Sequence, residues 1–209
     1  MIYKSFSNKL TALAAMALLC CSTLFASTSA RADCSSAPAL PAGCPGWMPG
    51  TTLITMPGPS GCQITIKYCT ACCNGIAYAY VYEIDPAGPG PDCDAVNPED
   101  MIYAAAKAVR TIAANGCAPP PCPTGLSINT YIPTCWTESA PTGEYEITPC
   151  SSAGCYCQET CQVCLNMGVL QYTNCKTISV GMDCDSSCTT NPGMPWISGT
   201  CYSITCHNL

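Results

Sequence analysis

Cys62-Gln63-Ile64-Thr65-Ile66-Lys67-Tyr68-Cys69-Thr70-Ala71-Cys72-Cys73 sets a strand-like segment between cysteine anchors. A degenerate echo follows about ninety residues later, from Cys155 to Cys164. Aligned by cysteine, Cys34 falls opposite Cys122, Cys44 opposite Cys135, Cys62 opposite Cys155 and Cys69 opposite Cys161. Cys72 then meets Cys164, Cys93 meets Cys184 and Cys117 meets Cys206, at offsets of 88 to 93. This register predicts two tandem homologous cysteine-rich modules, 33–121 and 122–209. The stiff run Pro119-Pro120-Pro121, between Cys117 and Cys122, marks the boundary.

Residues 1–32 read as an export signal. Lys4 and Lys9 form the basic n-region, Leu10 to Phe25 the apolar core, and Ala30-Arg31-Ala32 the cleavage pattern. The destination is therefore secreted, extracellular or periplasmic. The apolar run is short for a spanning helix of about 20 residues, and no later segment is apolar enough to span a bilayer, so no membrane insertion is expected after signal removal. Of the seven basic residues, Lys4, Lys9 and Arg31 leave with the signal while all 13 acidic residues stay. The mature chain is then strongly acidic, which argues against nucleic acid and anionic lipid as partners.

Cys20 and Cys21 also leave, so 20 of the 22 cysteines remain, about 11 % of the mature chain, a level that reads as a disulfide scaffold. The first module holds Cys34, Cys44, Cys62, Cys69, Cys72, Cys73, Cys93 and Cys117. The second holds Cys122, Cys135, Cys150, Cys155, Cys157, Cys161, Cys164, Cys175, Cys184, Cys188, Cys201 and Cys206. Both sets are even, so each can close its own bridges, with the connectivity left open by sequence. Adjacent Cys72 and Cys73 should take different partners. The two Phe, Phe6 and Phe25, both lie in the signal. With so few large apolar residues, covalent staples worth about 2–4 kcal/mol each are expected to stand in for a core.

The expected fold class is small, disulfide-rich and mainly β, with one short helix. Thr51 to Met56 is a short β-like run, and Asn74-Gly75 joins the Cys62 to Cys73 strand to Ile76 to Ile84 in a hairpin. Ile76, Tyr78, Tyr80, Tyr82 and Ile84 alternate with Ala77, Ala79, Val81 and Glu83, which predicts one tyrosine-rich strand face. That face is read as a half-buried cross-strand ladder, with a sugar- or surface-binding aromatic strip as the alternative. Trp47 is expected to cap the small core, with a ligand platform as the alternative. A helix is predicted from Pro98 to about Ala114, capped by Asn97 and packed through Met101, Ile102, Ala105, Ala108, Val109 and Ile112. Gly193 and Pro195 predict its loss or shortening in the second module.

Little in the chain suggests catalysis. Cys69-x-x-Cys72 and Cys161-x-x-Cys164 lack the helix N-terminus a redox dithiol needs, and the single histidine, His207, is expected in a frayed tail. No cofactor is implied and no metal is assigned, although the oxygen-rich run Asp85, Asp92, Asp94 and Asn97 is a weak Ca²⁺ candidate. The reading is a secreted, non-enzymatic, disulfide-stabilised structural or binding protein whose partner is an extracellular protein or glycan. The alternative is a secreted protease inhibitor or toxin-like effector that presents the Pro45 to Pro59 loop.

Overall fold

The computed structural model describes residues 34–57, 61–86, 93, 95–140, 145–150, 154–181 and 188–207. The export signal, Asp92, Asp94 and Cys184 lie outside the described residues. Among the described residues the chain is mainly β with one α-helix. Its first three strands are β1 (Met48–Thr55), β2 (Gln63–Cys73) and β3 (Ile76–Pro86), and α1 (Pro98–Gly116) follows them. After the helix come β4 (Leu126–Pro133), β5 (Cys135–Ser139), β6 (Glu146–Pro149), β7 (Tyr156–Asn166), β8 (Val169–Val180), β9 (Thr189–Thr190) and β10 (Cys201–Ser203). Inside the Pro45 to Pro59 stretch the expected β-like run Thr51 to Met56 is part of a longer strand, since Met48 to Thr55 pairs along its length with β2, so most of the described part is strand and not loop.

Strands β1, β2 and β3 form an antiparallel meander. Asn74 and Gly75 turn β2 into β3 with φ of 52° and 73°, the type I′ signature. Strands β4, β7 and β8 form a second meander, turned at Met167 and Gly168 with φ of 51° and 82°. Strand lengths match, with 8 residues in β1 and β4 and 11 in β2 and β7. Each third strand also carries one extra residue at the same distance from its turn: β3 bulges opposite Lys67/Tyr68 and β8 opposite Thr160/Gln162.

Matching the turns Asn74-Gly75 and Met167-Gly168 aligns the meanders differently from the cysteines. Cys161 then falls opposite Tyr68 and Cys164 opposite Ala71, one residue away from the cysteine register. A one-residue slip exchanges sheet faces. Accordingly Cys72 bonds Cys117 at the end of α1, whereas Cys164 bonds Cys122 from the other face. Cys44, not Cys34, is the counterpart of Cys122, each lying four residues ahead of its first strand.

The meanders share one sheet. Strand β3 runs parallel to β4, from the Ile76–Ser127 pair to the Tyr80–Tyr131 pair, and α1 is the crossover that parallel neighbours require. Farther along, Ile84 of β3 pairs with Ile147 of β6, which connects β5, β10 and β9. The helix begins at Asn97, whose side chain accepts from the Glu99 N–H at 3.0 Å, and Glu99 and Asp100 complement its N-terminal dipole. It buries Met101, Ile102, Ala105, Val109 and Ala113 against Ile64, Ile66, Ala77, Ala79, Val81 and Ile128. Among the described residues no helix follows β8.

Two further expectations, on the face of Ile84 and on the size of the core, need correction. The bulge at Tyr82 breaks the period of β3, so Ile84 leaves the tyrosine face and sits beside Ile66 in the core. The core itself is larger than the missing Phe implies: Trp136, Ile64, Ile66, Ile84, Ile102, Ile128, Ile132 and Ile147 are fully buried. Isoleucine supplies the apolar area, at about 1.5–3 kcal/mol per buried side chain. Residues on both sides of the 121/122 boundary share this core.

Nine bridges between described residues each close within one half. Cys34–Cys69, Cys44–Cys73, Cys62–Cys93 and Cys72–Cys117 close within 33–121, and Cys72 and Cys73 take different partners. Cys122–Cys164, Cys135–Cys188, Cys150–Cys201, Cys157–Cys206 and Cys161–Cys175 close within 122–209. Cys155 is disulfide-bonded as well.

One charged contact ties α1 to β7. Arg110, 8 % exposed, bonds the carboxylate of Glu159, 2 % exposed, and its guanidinium carbon lies 4.3 Å from the centre of the Tyr172 ring. A buried pair of this kind is expensive to break from one side. Arg110→Met should cost about 3–5 kcal/mol in denaturant unfolding, and adding Glu159→Leu should restore most of it. A double variant as unstable as the sum of the singles would contradict this.

Candidate functional site

The sheet face away from α1 carries the site. Alternation along β3 and β4 puts Ile76, Tyr78, Tyr80, Ser127, Asn129 and Tyr131 there, and the pleat of β7 adds Tyr156, Gln158, Thr160 and Gln162. Residues 34–47 cross part of this face as a strap, pinned at both ends by Cys34–Cys69 and Cys44–Cys73. Trp47 fastens it further. Its indole N–H donates to the Pro38 carbonyl at 2.8 Å, and its ring meets Tyr78 edge-on with centroids 6.3 Å apart. Trp47 thus caps the small cluster of Ala71, Cys73 and Tyr78.

Two tyrosine hydroxyls hold the strap from below: Tyr80 donates to Ser36 Oγ at 3.1 Å and Tyr156 to the Ser36 carbonyl at 2.7 Å. Between strap and sheet lies an open groove of about 420 Å³, lined by Ser36, Pro38, Ala39, Tyr131, Gly154 and Tyr156 among others. Tyr131 and Tyr156 meet edge-on at 6.2 Å. Next to them runs a row of neutral polar side chains with mutual hydrogen bonds. Thr160 donates to Asn129 Oδ1 at 2.7 Å, Gln162 to Ser127 Oγ at 2.7 Å and Gln158 to Thr160 Oγ1 at 3.3 Å. Burial pushes the Tyr80 hydroxyl up to about 12 and raises Tyr131 and Tyr156 as well, so all three remain protonated donors at neutral pH.

Of the Ca²⁺ candidates, Asp85 lies on β3 with Glu83, and Glu146 of β6 brings a third carboxylate oxygen within 4.8 Å of both. Lys67 already balances this group. Its ammonium bonds Glu83 and stands 3.6 Å from Asp85. Burial raises the Asp85 pKa, with Lys67 opposing it and Glu83 and Glu146 adding to it. Asn97 uses its side chain as the helix cap. Glu83 and Glu146 escape a sequence reading because only the Ile84–Ile147 pairing brings them together.

The two Cys-x-x-Cys motifs offer no thiols. Cys69 and Cys72 bond Cys34 and Cys117, and Cys161 and Cys164 bond Cys175 and Cys122. The Glu159, Cys161 and Cys175 group therefore has no thiolate to give a metal. His207, expected in a frayed tail, lies with its ring 4.0 Å from that of Tyr103, whose hydroxyl donates to the Thr205 carbonyl. Glu99 anchors the same tail, accepting from the Thr205 N–H at 3.1 Å and from Asn191 at 2.7 Å. No family model, curated protein or solved structure matches the chain.

The raised Tyr80 pKa gives a pH dependence of known sign. In the unfolded chain Tyr80 loses its proton near 10, whereas the folded chain keeps it to about 12. Its contribution is complete below pH 10 and disappears as the pH climbs to 12, up to about 2–3 kcal/mol. Urea unfolding between pH 9 and 12 should show a shallower loss of stability in Tyr80→Phe than in the wild type. Parallel curves would contradict the assignment.

Proposed function

We propose that the protein is an exported, non-enzymatic, disulfide-stapled binding protein whose groove and adjoining polar row take a neutral, hydroxyl-rich ligand, a glycan. The observation that carries this reading is the composition of the face: two tyrosines beside five amide and hydroxyl side chains, with no charge among them. Aromatic rings suit the apolar faces of sugar rings, and amides and hydroxyls exchange hydrogen bonds with sugar hydroxyls. The stapled strap favours binding because the groove wall is ordered before the ligand arrives. The cross-linked cysteines and the acidic composition support an oxidising compartment and a partner other than nucleic acid. Among the described residues no helix is long and apolar enough to cross a membrane.

The test is retention on insoluble neutral polysaccharides together with titration against neutral oligosaccharides. Wild-type protein should be retained. Tyr131→Ala and Tyr156→Ala should each weaken binding at least about tenfold, a loss of about 1.4 kcal/mol, with unfolding still cooperative. Absence of binding to every neutral glycan, or binding unchanged in both variants, would overturn the reading.

A further inference from the structure

We propose that copies of this chain associate head to tail, with β8 of one copy pairing in parallel with β1 of the next. Within the described residues Val169 to Thr173 of β8 pair with no strand but β7, and Pro49 to Leu53 of β1 with no strand but β2, so each of these stretches offers its outer edge to a further strand. These edges correspond to the strands that already join inside the molecule. Matching the two meanders by turn and pairing register makes β8 the counterpart of β3 and β1 the counterpart of β4. The internal joint, Ile76 to Tyr80 against Ser127 to Tyr131, thereby prescribes an external one. It matches Val169 with Pro49, Leu170 with Gly50, Gln171 with Thr51, Tyr172 with Thr52 and Thr173 with Leu53.

The side chains on the two edges fit that pairing. Met48 and Leu53 on β1 are 57 % and 55 % exposed, and Val169 and Ile178 on β8 are 65 % and 56 % exposed. Most of the large exposed apolar residues thus lie on the two free edges or, as with Met167, in the turn that begins β8. β1 carries no charged residue, and Lys176 is the one charge on β8, outside the five paired positions. Sheet edges are ordinarily protected by charges, prolines or bulges. Here Pro49 removes one donor at the end of the joint, and the β8 bulge lies beyond Thr173. Same-face neighbours across the joint are compatible, with Val169 against Pro49, Gln171 against Thr51 and Thr173 against Leu53. The two patches differ, so the contact is heterologous and does not close on itself as a two-fold dimer does.

Sedimentation of the oxidised mature protein over a concentration series tests this. Wild type should give an open-ended series of oligomers. Leu53→Lys blocks β1 and Thr173→Lys blocks β8; each alone should stay monomeric, and an equimolar mixture should stop at a heterodimer through the one intact edge on each chain. Both positions are exposed strand sites, so far-ultraviolet circular dichroism should match wild type. Wild type that stays monomeric to its solubility limit would overturn the proposal, as would a blocked variant that still dimerises alone. Glycan titration of the monomeric variants keeps this outcome separate from that of the groove.

Discussion

The parallel contact between β3 and β4, roofed by α1, is the constraint on which the rest of the structure depends. Parallel neighbours cannot be joined by a tight turn, so the chain must leave β3, cross the sheet and return. The crossover is a 19-residue helix whose apolar stripe covers both strands. That one arrangement turns two antiparallel meanders into a continuous sheet with one main core shared by both. It also determines the two faces: one is buried under the helix, and the other is left for the strap and the groove.

The disulfides act at the margins of this arrangement. Cys72–Cys117 anchors the end of α1 to β2, and Cys34–Cys69 and Cys44–Cys73 hold the strap. Cys135–Cys188, Cys150–Cys201 and Cys157–Cys206 fasten the C-terminal segment, which contains little regular structure to hold itself. Staples are most useful where few apolar contacts form, because they reduce the freedom of the unfolded chain without needing a core. The groove owes its shape to them, since its strap wall has no strand pairing of its own.

Signals that act over a few residues were legible in the sequence. Asn97-Pro98 with Glu99 and Asp100 located the helix, and Asn74-Gly75 located the first hairpin. Met167-Gly168 makes the same turn without a sequence signal for it, because methionine does not ordinarily mark a left-handed position. The bulge at Tyr82 could not be read either, and it alone moves Ile84 to the opposite face. Pairing the halves by cysteine missed the strand register by one residue, which in a sheet exchanges the faces. Alternation along β3 encodes the tyrosine face but not its partners: Ser36 meets Tyr156 across 120 residues, and Asn129 meets Thr160 across 31. Long-range strand order sets such contacts, and local composition does not encode it.

Native-state hydrogen exchange tests the shared interior most directly. If β3 and β4 form the joint on which everything rests, the amides of Ala77 to Tyr80 and Ile128 to Tyr131 that bond across it should be among the slowest in the molecule. They should exchange only through global unfolding, with the same free energy as the core amides of α1. Fast exchange at the joint, with the two halves opening at separate free energies, would contradict the account.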